Sequence, residues 1–154
     1  MFSAVVLALS CYLAPVNAPV AVPFAAPSCT YCPGHRGLQY SVAAGTLAIA
    51  AASGTVSFVG VVVGTRYVVV NQDDGRTATY GMLAAAMVSR GARIAAGQAI
   101  ATTLDSFYFG LRQGDIYIDP APFIGTITRA PRLVPISGGA WRPARVRPPS
   151  CTAT

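Results

Sequence analysis

Val88-Ser89-Arg90-Gly91-Ala92-Arg93-Ile94-Ala95-Ala96-Gly97-Gln98-Ala99-Ile100-Ala101 is the stretch that decides the fold. Glycine punctuates it twice, so each apolar piece is too short for a helix and suits a brief strand entered from a turn. Upstream, Val42 to Ala52 leads into Gly54-Thr55-Val56-Ser57-Phe58-Val59-Gly60, whose alternate residues fit a half-buried strand. Arg66-Tyr67-Val68-Val69-Val70-Asn71 is a further β-branched run. Asp74-Gly75 is a hairpin signal that pairs this run with Arg76-Thr77-Ala78-Thr79-Tyr80. Downstream, Phe107 to Arg112 and Ile116-Tyr117-Ile118 flank a turn at Gln113-Gly114-Asp115 and make a last hairpin before Asp119-Pro120. The sequence therefore predicts an all-β domain of antiparallel strands and hairpins that ends near Gly125. Pro and Ala dominate residues 13–33, which should run extended over a surface.

The length of 154 residues fits one domain with appendages, large enough to bury a core of its own. The charges are eleven Arg and five Asp, with no Lys and no Glu, amid heavy use of Ala, Val, Gly and Pro that reads mainly as coding bias. Residues 1–128 carry six Arg against five Asp, whereas 129–154 carry five Arg and no acid. The expected division is an apolar, signal-like segment over 1–14, a domain over 15–126 and a basic, Pro/Arg-rich disordered tail over 127–154. Arg129, Arg132, Arg142, Arg145 and Arg147 could rest that tail on envelope polyanions; no specific nucleic-acid recognition is implied. No run reaches the ~18 apolar residues of a membrane span. Met1 to Ala14 resembles the apolar part of a secretory signal without its basic start, which points to export and to a truncated leader.

Cys29-Thr30-Tyr31-Cys32-Pro33-Gly34-His35 offers C-x-x-C-x-x-H, a spacing that permits three ligands on one zinc. The alternatives are a short-loop disulfide, favoured by an oxidising compartment, or two ordinary thiols. Cys11 would leave with a signal, and Cys151 lies in the tail. His35 is the chain's single histidine.

The V-x-x-G-x-x-I-x-x-G-Q-x-I rhythm occurs in barrel-sandwich hybrids, including carrier domains modified on a lysine. A chain without lysine cannot be such a carrier. Taken in order, His35-Arg36-Gly37, Ala43-Ala44-Gly45-Thr46, Gly54-Thr55-Val56, Thr79-Tyr80, the Val88–Ile100 rhythm, Gly110-Leu111-Arg112 and Asp119-Pro120 resemble the lysostaphin-like (LytM) zinc endopeptidases. The small secreted actinobacterial type is the nearest. The resemblance implies a LytM-type barrel-sandwich hybrid, a duplicated hybrid motif, located outside the cell or in its envelope. Members hold zinc with a histidine, an aspartate four residues on, and the second histidine of an H-x-H strand. The open fourth position activates water and polarises the scissile carbonyl.

Carried onto this chain, the resemblance retains His35 as the first ligand and substitutes the others. Gln39 stands for the aspartate, Tyr108 for the ligating histidine, Ser106 for the catalytic histidine of the H-x-H strand, and Met82 for the histidine after Tyr80. One imidazole and a neutral amide are a poor zinc site, because affinity depends on the number of deprotonated ligands. No cofactor is expected; zinc is retained only if Asp105, or Cys29 and Cys32, substitute. Tyr108, Phe107, Phe109 and Met82 are expected to fill the vacated floor. The resulting expectation is a secreted, non-catalytic module that binds peptidoglycan or a cell-wall hydrolase. The alternatives are an active endopeptidase cutting peptide cross-links with an altered ligand set, and a purely structural β-domain.

Overall fold

A computed structural model describes residues 11–128 and 150–152 of the chain. The strands are β1 Val20–Val22, β2 Leu38–Ser41, β3 Leu47–Ile49, β4 Gly54–Val62, β5 Thr65–Gln72, β6 Thr77–Ala86, β7 Arg93–Ile94, β8 Ala99–Gln113 and β9 Ile116–Ile118. They form one antiparallel sheet in the order β1-β2-β8-β6-β5-β4-β7, with β3 and β9 also paired to β8. Apart from one short 3-10 turn at Ala121–Phe123, the described residues contain no helix. The fold is all-β and antiparallel, as the sequence predicts.

The deciding stretch behaves as its glycines require. Gly91 and Gly97 take φ of 87° and 84°, a region that costs side-chain-bearing residues but not glycine. Their amides close turns onto Val56 and Ala50 carbonyls, at 2.7 and 2.8 Å. The Asp74-Gly75 turn sets the β5–β6 register, pairing Asn71 with Thr77 and Tyr67 with Gly81.

Alternation along β5, β6 and β8 separates two faces. Val68, Val70, Ala78, Tyr80, Phe107, Phe109 and Leu111 are fully buried in the core. The Tyr80 hydroxyl accepts the Ala51 amide at 2.9 Å, and burial pushes its pKa well above the ordinary phenol value. On the outer face, cross-strand partners place Gly60, Tyr67, Gly81, Tyr108, Gln39 and Val22 in one row across six strands.

Contacts are also made at both ends of the described chain. Tyr12, inside the segment read as signal-like, is buried; its amide donates to Phe123 O at 2.7 Å and its carbonyl accepts from Gly125 N at 3.0 Å. An apolar ring next to chain polar groups is as suited to closing a sheet as to a leader, and composition does not separate the two. At the other end, Thr126–Thr128 (β10) pairs antiparallel with Ser150–Thr152 (β11), so the disordered tail expected over 127–154 is interrupted by strand pairing; residues 129–149 lie outside the described residues.

Candidate functional site

The candidate residues come from the entry segment and three strands. His35 ends the entry segment, where its backbone exchanges two 2.9 Å hydrogen bonds with Ala25. Gln39 lies on β2 directly opposite Tyr108 on β8, and Tyr108 is opposite Gly81 on β6, one residue before Met82. The structure therefore brings His35, Gln39, Met82, Ser106 and Tyr108 to one region of the outer face, as the motif positions require.

Their chemistry is not that of a metal centre. His35 Nδ1 lies 2.6 Å from Gly37 O; a carbonyl only accepts, so this nitrogen carries a proton and Nε2 is the ring nitrogen left to face a metal. That is the one element of a zinc site still in order. The Tyr108 ring meets the imidazole edge-on, with centroids 6.0 Å apart at 81°, and its hydroxyl donates to Arg36 O at 3.0 Å. It lies over two positions that carry no side chain: a Cβ at Gly37 would stand 2.7 Å from Tyr108 Cε2 and Cζ, and one at Gly110 2.6 Å from Tyr108 Oη. Burial, helped by Tyr117 and Tyr67 and opposed by Arg36, raises the Tyr108 pKa to about 12, so the phenol is neutral at physiological pH.

The two positions that correspond to catalytic histidines touch each other. Ser106 Oγ donates to Met82 Sδ at 2.9 Å, and Met82 sits at φ 59°, a left-handed conformation uncommon for such a side chain. Neither a thioether nor an alkyl alcohol transfers protons at neutral pH.

The substitutes do not assemble either. Cys29 and Cys32 form a disulfide with Cα atoms 4.9 Å apart, which removes both thiolates as ligands and decides among the three readings of that motif. Arg36 fastens this loop, its Nη2 donating to Thr30 O at 2.7 Å and less closely to Cys32 O at 3.4 Å. Asp105 is exposed and, by alternation, belongs to the strand face opposite Ser106 and Tyr108. The same alternation corrects the expected floor: Phe107 and Phe109 are fully buried in the core, and Tyr108 alone of the three fills the slot. Among the described residues, no three of His, Cys, Asp and Glu gather where a metal could be held. The donor set present does not fit a zinc ion.

Tyr67 and Tyr117 were not singled out from the sequence. Tyr67 lies against Gly81, where a Cβ would approach its Cε1 to 2.7 Å, and Tyr117 packs beside the Arg36 guanidinium, 5.8 Å from the ring centre. The signal for Tyr67 was present: counting back equally from the Asp74 turn aligns it with Gly81.

Residues 33–120 match the model of Peptidase family M23, and the chain belongs to that family. Among solved structures, the catalytic domain of the antimicrobial peptidase lysostaphin from Staphylococcus simulans is similar at 20% identity and a TM-score of 0.62, covering 70% of this chain and 92% of that one. LytU is similar at 21% identity and a TM-score of 0.62, over 70% of this chain and 84% of that one. Helicobacter pylori Csd3 reaches a TM-score of 0.67 at 24% identity; the match covers 75% of this chain but only 33% of Csd3. These likenesses establish the fold. No curated protein gives a significant match. The domain is thus M23 peptidase-like and related to peptidoglycan hydrolases. Among the described residues, no helix is long and apolar enough to cross a membrane.

Proposed function

We propose that this is a secreted, non-catalytic M23 domain that acts as a cell-wall-binding or regulatory module. The observation that carries the reading is the Tyr108 ring, lodged between Gly37 and Gly110 and bonded to Arg36 O, at the position where the family places a ligating histidine. A neutral phenol there, opposite a neutral Gln39 amide, gives a metal neither the charge nor the donor count that binding requires. The Ser106–Met82 contact supports the same conclusion for proton transfer. Related hydrolases act on peptidoglycan, which supplies the address: the envelope, with peptidoglycan or a wall hydrolase as partner. The module's contribution there is binding.

The test is metal content after zinc loading and dialysis, with release of muropeptides from purified sacculi, for the wild type and His35→Ala. The expected result is no stoichiometric zinc and no release from either protein, together with retention of both on sacculi. Chelator-sensitive release that disappears in His35→Ala would overturn the reading in favour of an endopeptidase with a rebuilt ligand set.

A further inference from the structure

Aromatic rings lie down on glycines along the outer face. Tyr67 covers Gly81, Tyr108 spans Gly37 and Gly110, and Phe58 points its ring tip at Gly60, with Cζ 2.8 Å from where a Cβ would be. Gly81 is common ground, since a Cβ there would also come within 3.3 Å of Tyr108 Cδ1, so Tyr67 and Tyr108 form one contiguous pavement. Tyr117, 39% exposed, continues it on β9 beside Arg112, its register partner on β8. Tyr67 and Tyr108 are half-buried and Tyr117 is exposed, so each ring keeps part of its surface open, and such surface suits an apolar, flat partner with a polar rim.

We propose that this pavement binds a cell-wall glycan strand freed of its peptides, with sugar rings stacking on Tyr67, Tyr108 and Tyr117. The inference rests on the reading of the domain as a wall-binding module and names the component that is bound. Three observations favour sugar over peptide. The strands beneath Tyr67 and Tyr108, β5, β6 and β8, are paired on both sides, so their amides and carbonyls are already used and an extended peptide could not be added there as another strand. Around Tyr108 stand uncharged hydrogen-bonding side chains, Gln39 opposite it on β2, Ser106 two residues before it on β8 and Thr79 opposite Gly110 on β6, which match hydroxyl and acetamido groups around a pyranose. The charged groups beside the rings are cationic: Arg36 lies next to Tyr117, and Arg112 shares the outer-face alternation of Tyr108 and Gly110, while Asp115 sits beyond them in the exposed β8–β9 turn. Removing the peptides from a wall strand exposes the lactyl carboxylates of its amino sugars. Two arginines flanking stacked rings would then meet an anionic glycan with complementary charge.

The experiment is co-sedimentation of the full chain with intact sacculi and with amidase-stripped, peptide-free glycan strands, with soluble stem peptide as competitor. Retention on stripped strands is expected, weakening as salt is raised. Tyr67→Ala should weaken it about fivefold, the size of one lost aromatic stacking contact. Tyr67→Phe, which keeps the ring, should bind like the wild type, a rescue that a merely structural role for the hydroxyl would not give. Tyr117→Ala, on an exposed edge strand, repeats the test should Tyr67→Ala fail to fold. Retention on intact sacculi alone, or release by stem peptide, would overturn the glycan proposal and leave the wall-binding reading standing. Loss of retention on both materials would remove the two together.

Discussion

The two faces of β5, β6 and β8 come from the same strands and obey the same alternation, yet they are built to different ends. Inward, Val68, Val70, Tyr80, Phe107, Phe109 and Leu111 fill a solvent-free core as in any sandwich-like sheet. Outward, Tyr67 and Tyr108 lie on glycines, beside His35 and Gln39. The core constrains volume and shape, so it survives only if its residues remain apolar and of similar size. The outer face is constrained only by what it binds. Once no metal has to be held, a ring can take the place of a ligand without disturbing the scaffold beneath. On the proposed non-catalytic reading, the fold is kept by one face while the other is free to change its chemistry.

The largest effect that would test this separation is gain of a metal. Gln39→Asp combined with Tyr108→His supplies the two donors that the outer face lacks, beside a His35 whose Nδ1 proton is already fixed by Gly37 O. Zinc content is expected to rise from none to one ion per chain, measured by mass spectrometry after dialysis. If zinc is still not retained, more than the donor atoms has changed on this face.

Phe109→Ala, one residue away but on the inner face, should cost about 3–5 kcal/mol in denaturant unfolding, because a fully buried ring leaves a cavity. Truncating Tyr108 should cost clearly less; equal costs would mean that the two faces are not energetically distinct. Tyr80→Phe removes the acceptor of the buried Ala51 amide and should destabilise by about 1–3 kcal/mol.

Alkaline pH reaches both faces. Burial raises Tyr40, on the inner side, and Tyr108, on the outer, to about 12 from an ordinary value of 10.0. Between those values the unfolded chain has lost protons that the native state still holds, so stability is full below pH 10 and falls as the pH rises through 12. Thermal melting across that range should show the decline, and Tyr108→Phe should make it shallower. The smallest expected change has the opposite sign. Val63, at the tip of the β4–β5 hairpin, is 99% exposed at φ 48°, followed by Gly64 at φ 78°. A two-residue turn with both φ positive favours Asn-Gly, so Val63→Asn should stabilise by about 1 kcal/mol. No gain in melting temperature would show that this tip is not strained.

Much of the fold is legible in the chain. The glycines at 91 and 97, the Asp74-Gly75 turn and the β-branched runs announce local geometry that needs no long-range information, and the hairpin register follows by counting from the turn. The motif positions His35, Gln39, Met82, Ser106 and Tyr108 were legible as a group for a different reason: their spacing matches a family pattern. Less accessible was the direction of each side chain. Phe107, Tyr108 and Phe109 read alike as hydrophobic filler, but strand pairing sends two into the core and one onto the face.

By itself the sequence determined that this chain is all-β and that it is built on the LytM scaffold, because turns, alternation and motif spacing are local properties. Tertiary structure alone decided that Cys29 and Cys32 are joined, that Asp105 is turned away, that Tyr12 belongs to the core, and that Tyr67 and Tyr108 pave the site over Gly37, Gly81 and Gly110. The burial of Tyr12 and the paving by Tyr67 and Tyr108 depend on which residues lie opposite one another across segments distant in sequence, a relation that exists only once the sheet has closed; the disulfide is local but needs the loop folded, since three readings of the motif share one spacing.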